Sequence, residues 1–141
     1  MKKYIKKSIP AVLLALVFSA TIFLFSGCSG AIDTVLSQAA NQANADCPQM
    51  VDSITRLDSV KAKTGKVLEY SYTLVGYNTS NLSSAQLSTM KTALQTSVLS
   101  NLKTNSSLDD LKKLGVTFRF VYNGDDGKSL FELQFAPNDY K

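Results

Sequence analysis

The side chains of this sequence that could support catalysis or bind a metal are scattered acidic residues and two cysteines, Cys28 and Cys47. The chain has no histidine, which excludes Ser-His-Asp and Cys-His catalysis and the commonest zinc and iron sites. Cys47 has no imidazole to remove its proton, and the carboxylate of Asp46 disfavours a thiolate. Glycine-rich phosphate-binding motifs are also missing from the sequence. We predict no catalytic residue, no metal site and no cofactor.

Two groups of acidic residues have a spacing that invites a binding interpretation. Asp52 and Asp58 flank Arg56, which would suit a polar ligand, but a local salt bridge at the entry to a strand explains them more simply. Asp125 and Asp126 invite a calcium interpretation, yet EF-hand spacing is absent. Turn residues between two strands account for the segment 123–127.

The amino-terminal segment has the pattern of an export signal. MKKYIKK carries four lysines and no acid, and residues 9–25 are almost wholly apolar, as in a signal peptide or a short anchor. The residues FSGC, at positions 25–28, resemble the lipobox of bacterial lipoproteins. That resemblance implies that residues 1–27 are removed and that Cys28 receives lipid, which anchors a protein of the bacterial cell envelope outside the cytoplasm. An uncleaved amino-terminal anchor is the alternative.

The remainder, residues 28–141, has the length of one small domain. It contains nine lysines, two arginines and eleven acids, so this part is neutral and lacks the basic surplus that nucleic-acid binding requires. With Cys28 acylated, Cys47 is the single thiol. We expect it to be buried and unreactive, with intermolecular pairing and thiol chemistry as the alternatives.

Hydrophobic periodicity indicates the elements. An amphipathic helix over residues 31–45 precedes a hairpin of strands at 57–63 and 66–75, with a bulge in the first strand. Ser83 and Gln86 form a capping box for a second helix, and Ser107 is expected to cap a third. A second hairpin spans 116–135. We therefore predict a two-layer α+β domain in the order α-ββ-αα-ββ, with helices on one face of a four-stranded antiparallel sheet.

The motif CPxxVDxxTRLDSV, which begins at Cys47 and is followed by YxYTL, resembles a group of small bacterial exported proteins and lipoproteins. No biochemical activity is assigned to that group. The resemblance therefore supplies no site residues.

The face of the sheet turned away from the helices is the candidate interaction surface. Its members include Glu69, Thr73, Arg119 and Glu132, which would either dock a partner or form a solvated face with cross-strand Glu–Arg pairs. We predict a non-enzymatic, lipid-anchored domain that binds a protein partner in the envelope. The alternatives are an inhibitor or immunity-type protein against an exported toxin, and a hydrolase that uses Asp/Glu or a Ser-Lys pair with Lys61 or Lys63.

Overall fold

The computed structural model describes residues 29–141, so the predicted signal segment and Cys28 lie outside the described residues. The described residues form four α-helices, five strands and one 3-10 turn. In chain order these are α1 (Ser29–Ala45), β1 (Gln49–Met50), β2 (Thr55–Lys63), β3 (Val67–Leu74), α2 (Ser84–Thr104), the 3-10 turn (Ser106–Leu108), α3 (Asp109–Lys113), β4 (Thr117–Gly124), β5 (Ser129–Phe135) and α4 (Pro137–Tyr140). In this part of the chain no helix is both long and apolar enough to cross a bilayer.

The strands form one mixed sheet in the order β1-β2-β3-β4-β5. Both predicted hairpins are present, and the predicted bulge lies between Leu57 and Ser59. The prediction of a four-stranded antiparallel sheet was wrong in two respects: β3 and β4 pair in parallel, and β1 adds a fifth strand beside β2. The α+β class is confirmed.

The connection between the hairpins explains the parallel pair. Helix α2 has 21 residues and β3 has eight, so they span about 31 Å and about 26 Å at 1.5 and 3.3 Å per residue. The helix therefore returns the chain to the end of the sheet where β3 began. A strand that starts there and pairs with β3 must run parallel to it. Hydrophobic alternation within each strand contains no information about this direction.

One hydrophobic core lies between the helices and the inner face of the sheet. Its centre is a ladder of stacked aromatic rings across three strands, in which Tyr70 lies on Phe120, and Tyr72 and Phe131 lie on either side of Tyr122. Helix α1 packs on this face through its predicted apolar stripe, which includes buried Leu36. The helical residues of the core therefore lie on one face of the sheet, as predicted.

The carboxyl end of α1 also closes part of the sheet edge. The side-chain amide of Asn44 donates to the carbonyl of Val60 and accepts from its N–H, each at 2.7 Å. Asn44 thus supplies the two hydrogen bonds that the backbone of a neighbouring strand would otherwise form with Val60. The two residues of β1 pair with Leu57 and Arg56 farther along the same edge.

The predicted side-chain cap is present at the start of α2, whereas the cap predicted for the next helix is not. Ser83 and Gln86 form the predicted capping box of α2. The prediction that Ser107 caps the next helix was wrong, because Asn105 Oδ1 accepts the Ser107 N–H and starts the 3-10 turn two residues earlier. Helix α4 was not predicted. Its Tyr140 is buried, and the Tyr140 hydroxyl donates to the carbonyl of Val116.

Candidate functional site

The predicted interaction surface, called the outer face below, holds a network of paired charges. Arg119 lies opposite Glu69 in the β3–β4 register, and their charged atoms are 3.3 Å apart. The same guanidinium donates to both carboxylate oxygens of Glu132, at 2.9 and 2.8 Å. Lys63 lies 3.8 Å from Glu69. The cross-strand Glu–Arg pairing that was expected of a solvated face is therefore present.

Thr73 differs from the other outer-face residues. We expected a solvated side chain, but Thr73 is only 7% exposed, and its hydroxyl donates to Asp58 Oδ2 at 2.5 Å. The other oxygen of Asp58 pairs with Arg56 at 2.6 Å. Thr73, Asp58 and Arg56 thus form a local network that joins β2 to β3.

Asp52 does not share this network. Its Oδ1 accepts the backbone N–H groups of Ile54 and Thr55, at 2.8 and 2.7 Å, and so shapes the turn that enters β2. Its Oδ2 is buried without a hydrogen-bond partner in the described protein. The two acids that flank Arg56 in sequence therefore have separate structural roles: Asp58 pairs with Arg56, and Asp52 shapes the turn.

Asp125 and Asp126 hold two loops together at one end of the sheet. Asp125 Oδ2 accepts the N–H of Gly76 at 2.6 Å, and Asp126 Oδ1 accepts the N–H of Lys128 at 3.1 Å. The backbone N–H of Asp125 also donates to the carbonyl of Tyr77. Within residues 29–141 no group of three or more His, Cys, Asp or Glu residues is arranged to hold a metal ion.

Cys47 is partly buried and hydrogen-bonded. Its thiol donates to the carbonyl of Ala43 at 3.2 Å. Burial raises the pKa of the Cys47 thiol, and the negative charges of Asp46 and Asp58 raise the pKa further. This environment disfavours the thiolate, which is the nucleophilic form.

Two tyrosines of the core have hydroxyl groups without partners. The hydroxyls of Tyr72 and Tyr122 are buried and form no hydrogen bond within the described chain. Burial raises the pKa of both, and the nearby Asp52 charge adds to the effect at Tyr122. Both groups are therefore neutral wherever the domain is folded at ordinary pH.

An apolar pocket of about 260 Å³ opens between α2 and the sheet. We call it the α2 pocket. Its apolar lining comes from the residue before β2, the end of β3 and the amino-terminal half of α2, namely Ile54, Leu74, Met90, Ala93 and Leu94. Three hydroxyl-bearing residues complete the lining: Thr55, Thr89 and Ser97. None of these residues is charged.

The helix explains why the pocket is open. The apolar stripe of α2 runs from Leu87 to Leu102, but only Leu94, Val98 and Leu102 are buried. Leu87 and Met90, nearer the amino terminus, are partly buried against the edge of the core. Periodicity identifies the apolar side of a helix, but it contains no information about how far each turn stands from the sheet.

The exposed side of α2 is polar and nearly uncharged. The helix contains two lysines, Lys91 and Lys103, and no acidic residue. Thr89 and Thr96 donate their hydroxyl protons to carbonyls one turn earlier, at 3.0 and 3.1 Å. Their oxygens keep lone pairs as acceptors. The exposed side of α2 thus contrasts with the charged outer face.

The fold is similar to three solved structures. A protein of Pseudomonas aeruginosa described as secreted has a TM-score of 0.65 at 10% identity, with 82% of this chain and 100% of that chain covered. The pilotin EpsS of the Vibrio vulnificus type 2 secretion system has a TM-score of 0.63 at 10% identity, with 79% and 94% covered. The pilotin AspS of the Vibrio cholerae type II secretion system has a TM-score of 0.57 at 16% identity, with 78% and 93% covered. Identities this low establish a shared fold and no more.

None of the curated proteins matches this sequence. One family model does match, over residues 30–131, which is well over half of the chain and includes β1 to β4, the start of β5 and the whole α2 pocket. The chain therefore belongs to the family described as Domain of unknown function (DUF8479).

Proposed function

We propose that this protein is a lipid-anchored envelope protein whose domain binds a protein partner close to the membrane and catalyses no reaction. The observation that carries the proposal is the α2 pocket, an uncharged apolar opening beside a polar helix surface. Protein interfaces have this character, because charged residues are depleted at their centres while polar residues surround them.

The acidic residues support a binding role better than an enzymatic one. Asp52, Asp58 and Asp125 each hold a turn, a strand pair or a loop in place. Lys63, which was considered as the base of a Ser-Lys pair, lies beside Glu69 on the outer face. These side chains serve the fold and do not converge on the α2 pocket.

The fold likeness supports the proposed location. Two of the similar structures are pilotins of type 2 secretion systems, and the third is a protein described as secreted. We extend this to the present chain as a proposal: the domain acts outside the cytoplasm on another envelope protein. The lipobox-like residues 25–28 supply the anchor in this proposal.

Site-specific photo-crosslinking in native membranes tests the partner. A photoreactive amino acid at Ala93, on the pocket rim, is expected to capture one specific protein, whereas the same group at Gln134, on the outer face, is expected to capture none. Both positions are exposed. Failure to capture a protein from either position would contradict the proposed function, and capture only from Gln134 would move the interface to the outer face.

The anchor is tested by intact mass. The wild-type membrane protein is expected to begin at an acylated Cys28, and Cys28→Ser is expected to leave an unprocessed precursor. Acylation at two sites makes a firm anchor, since one chain alone gives only marginal membrane binding. A wild-type chain that retains residues 1–27 with an unmodified Cys28 would contradict the lipoprotein proposal and favour an uncleaved amino-terminal anchor.

A further inference from the structure

We infer that the α2 pocket receives one bulky, uncharged, apolar side chain from a partner polypeptide. This inference rests on the proposed function, because it specifies the chemistry of the partner. Four properties of the described residues support it: the size of the pocket, the incomplete burial of α2, the distribution of charge, and the hydrogen-bonding groups at the rim.

The size of the pocket limits what it can hold. Its volume is about 260 Å³, below the roughly 300–1,000 Å³ of pockets that hold drug-sized ligands and cofactors. An enclosed apolar cavity of about 150 Å³ already accommodates benzene. The α2 pocket therefore suits a single leucine-, methionine- or phenylalanine-sized group.

The incomplete burial of α2 indicates an apolar occupant. Leu94 is buried, whereas Met90 one turn earlier is only partly covered. Ile54 is partly exposed on the opposite wall, and the adjacent Val75, whose N–H donates to the Ile54 carbonyl at 2.7 Å, is 37% exposed. An apolar side chain inserted here would extend the helix–sheet core by one layer and remove the exposed parts of Ile54 and Met90 from water.

The uncharged lining excludes a charged side chain as the occupant of the pocket. All lining residues are uncharged, so a lysine, arginine or carboxylate that entered would lose water without gaining a counter-ion. On the other side of the sheet, Arg119 is already paired with Glu69 and Glu132. A partner that covered the outer face would have to desolvate these pairs, which the α2 side does not require.

The rim favours a peptide over a lipid acyl chain. Thr89 donates its own proton to the Ala85 carbonyl, so its oxygen can only accept a hydrogen bond from an incoming group. A peptide backbone has N–H groups that can satisfy this oxygen, whereas an acyl chain has none. The side chain that fills the pocket is therefore expected to be carried by a polypeptide.

Methyl and amide NMR of the full chain in lipid nanodiscs tests the inference with a defined set of probes. N-acetyl-leucinamide and N-acetyl-phenylalaninamide are titrated beside N-acetyl-lysinamide and N-acetyl-glutamate amide. The apolar amides are expected to shift Ile54, Ala93 and Leu94, with weak binding that saturates only at about 10 mM or above. Binding of the charged amides is expected to be at least about tenfold weaker.

Matched variants locate the binding. Ala93→Trp fills the pocket and is expected to abolish the shifts. Ser88→Trp adds the same group at an exposed position of α2 outside the lining and is expected to leave them unchanged. Since Ala93→Trp could perturb the fold, the smaller change Thr89→Val provides a second reading, with a two- to fivefold loss of amide binding expected from the missing acceptor, on the order of one hydrogen bond or less.

The outcomes separate this inference from the proposed function. Equal binding of charged and apolar amides, or shifts confined to other residues, would overturn the inference even if crosslinking at Ala93 captured a protein. Nanodiscs whose lipid acyl chains carry spin labels test whether a lipid chain occupies the pocket. Broadening of the Ile54 and Leu94 methyl signals by these labels would show that a lipid chain occupies the pocket. It would overturn the inference that the occupant is a peptide side chain. Absence of any crosslinked protein would count against the proposed function itself.

Discussion

Tyr122 and Tyr140 are both buried tyrosines, but their hydroxyl groups have opposite surroundings. The Tyr140 hydroxyl donates to the Val116 carbonyl and ties α4 to the start of β4. The Tyr122 hydroxyl is buried without a partner in the described protein. A buried polar group that forms no hydrogen bond lowers stability, whereas one that forms a good bond raises it modestly. The same chemical change should therefore have opposite effects at the two positions.

We expect Tyr122→Phe to raise the free energy of unfolding by about 1 kcal/mol and Tyr140→Phe to lower it by about 1 kcal/mol. Both variants keep the aromatic ring, so stacking on Phe131 and the edge contact with Phe118 are preserved. Chemical denaturation of each variant beside the wild type provides the measurement. A loss of stability in Tyr122→Phe would mean that its hydroxyl has a partner, such as a bound water.

At the scale of elements, the turn between β4 and β5 is packed against the loop after β3. A Cβ atom on Gly124 would lie 2.8 Å from the Tyr77 carbonyl oxygen and 2.9 Å from the Asn78 Cα. Backbone atoms cannot move aside as a flexible side chain can. Only glycine lets these two loops approach so closely while Asp125 holds Gly76.

Gly124→Ala is therefore expected to destabilise the domain by about 1–3 kcal/mol, as overpacking does. Gly30→Ala is the matched control, because a Cβ at Gly30 meets nothing within 4 Å and alanine favours a helix by up to about 1 kcal/mol. Denaturation midpoints of the two variants are compared with the wild type. Equal midpoints for both variants would contradict the close approach of the loops.

The two faces of the sheet differ in what a truncation removes. Phe120 is 1% exposed in the aromatic ladder, and Phe120→Ala is expected to cost about 3–5 kcal/mol. Gln134→Ala on the outer face is expected to change stability by no more than about 0.5 kcal/mol. Thr73→Ala should fall between them, at about 1.5–3 kcal/mol, because it removes a hydrogen bond to the Asp58 carboxylate. Urea titrations rank the three variants, and an equal cost for Gln134 and Phe120 would refute this assignment of faces.

At the scale of the whole molecule, the buried tyrosines predict alkaline sensitivity. Burial raises the pKa of Tyr70, Tyr72 and Tyr122 above 10.0, so the folded chain keeps three protons that the unfolded chain releases. Their contribution to stability is complete below about pH 10 and is lost as pH rises beyond it. Each tyrosine adds a slope of about 1.4 kcal/mol per pH unit.

Unfolding free energies measured between about pH 9 and pH 11 should therefore fall by up to roughly 4 kcal/mol per unit above pH 10, the sum over three tyrosines. Ultraviolet difference spectra should show that these tyrosines ionise only as the domain unfolds. Stability that stays level through pH 11 would show that the hydroxyls reach water in the folded state.

The sequence by itself determined the long helices and the four long strands, together with most of their buried sides, but neither β1 nor α4. Alternation in β3, β4 and β5 and the capping box at Ser83 and Gln86 are encoded by neighbouring residues, which is why both hairpins and the start of α2 were predicted correctly. The chemistry that histidine would supply was excluded by composition alone. The acylation of Cys28 remains a prediction from its local motif.

Only the tertiary structure decided the direction of β4, the role of Asp125 and the position of the α2 pocket. Each depends on residues far apart in sequence: β3 with β4, Gly76 with Asp125, and Ile54 with Met90. Periodicity reports which side of an element is apolar, because that property repeats along the chain. It cannot report the distance between two elements, since the crossover helix and the loops set that distance. The candidate binding site lies in such a gap, and so it was invisible until the helix and the sheet were placed together.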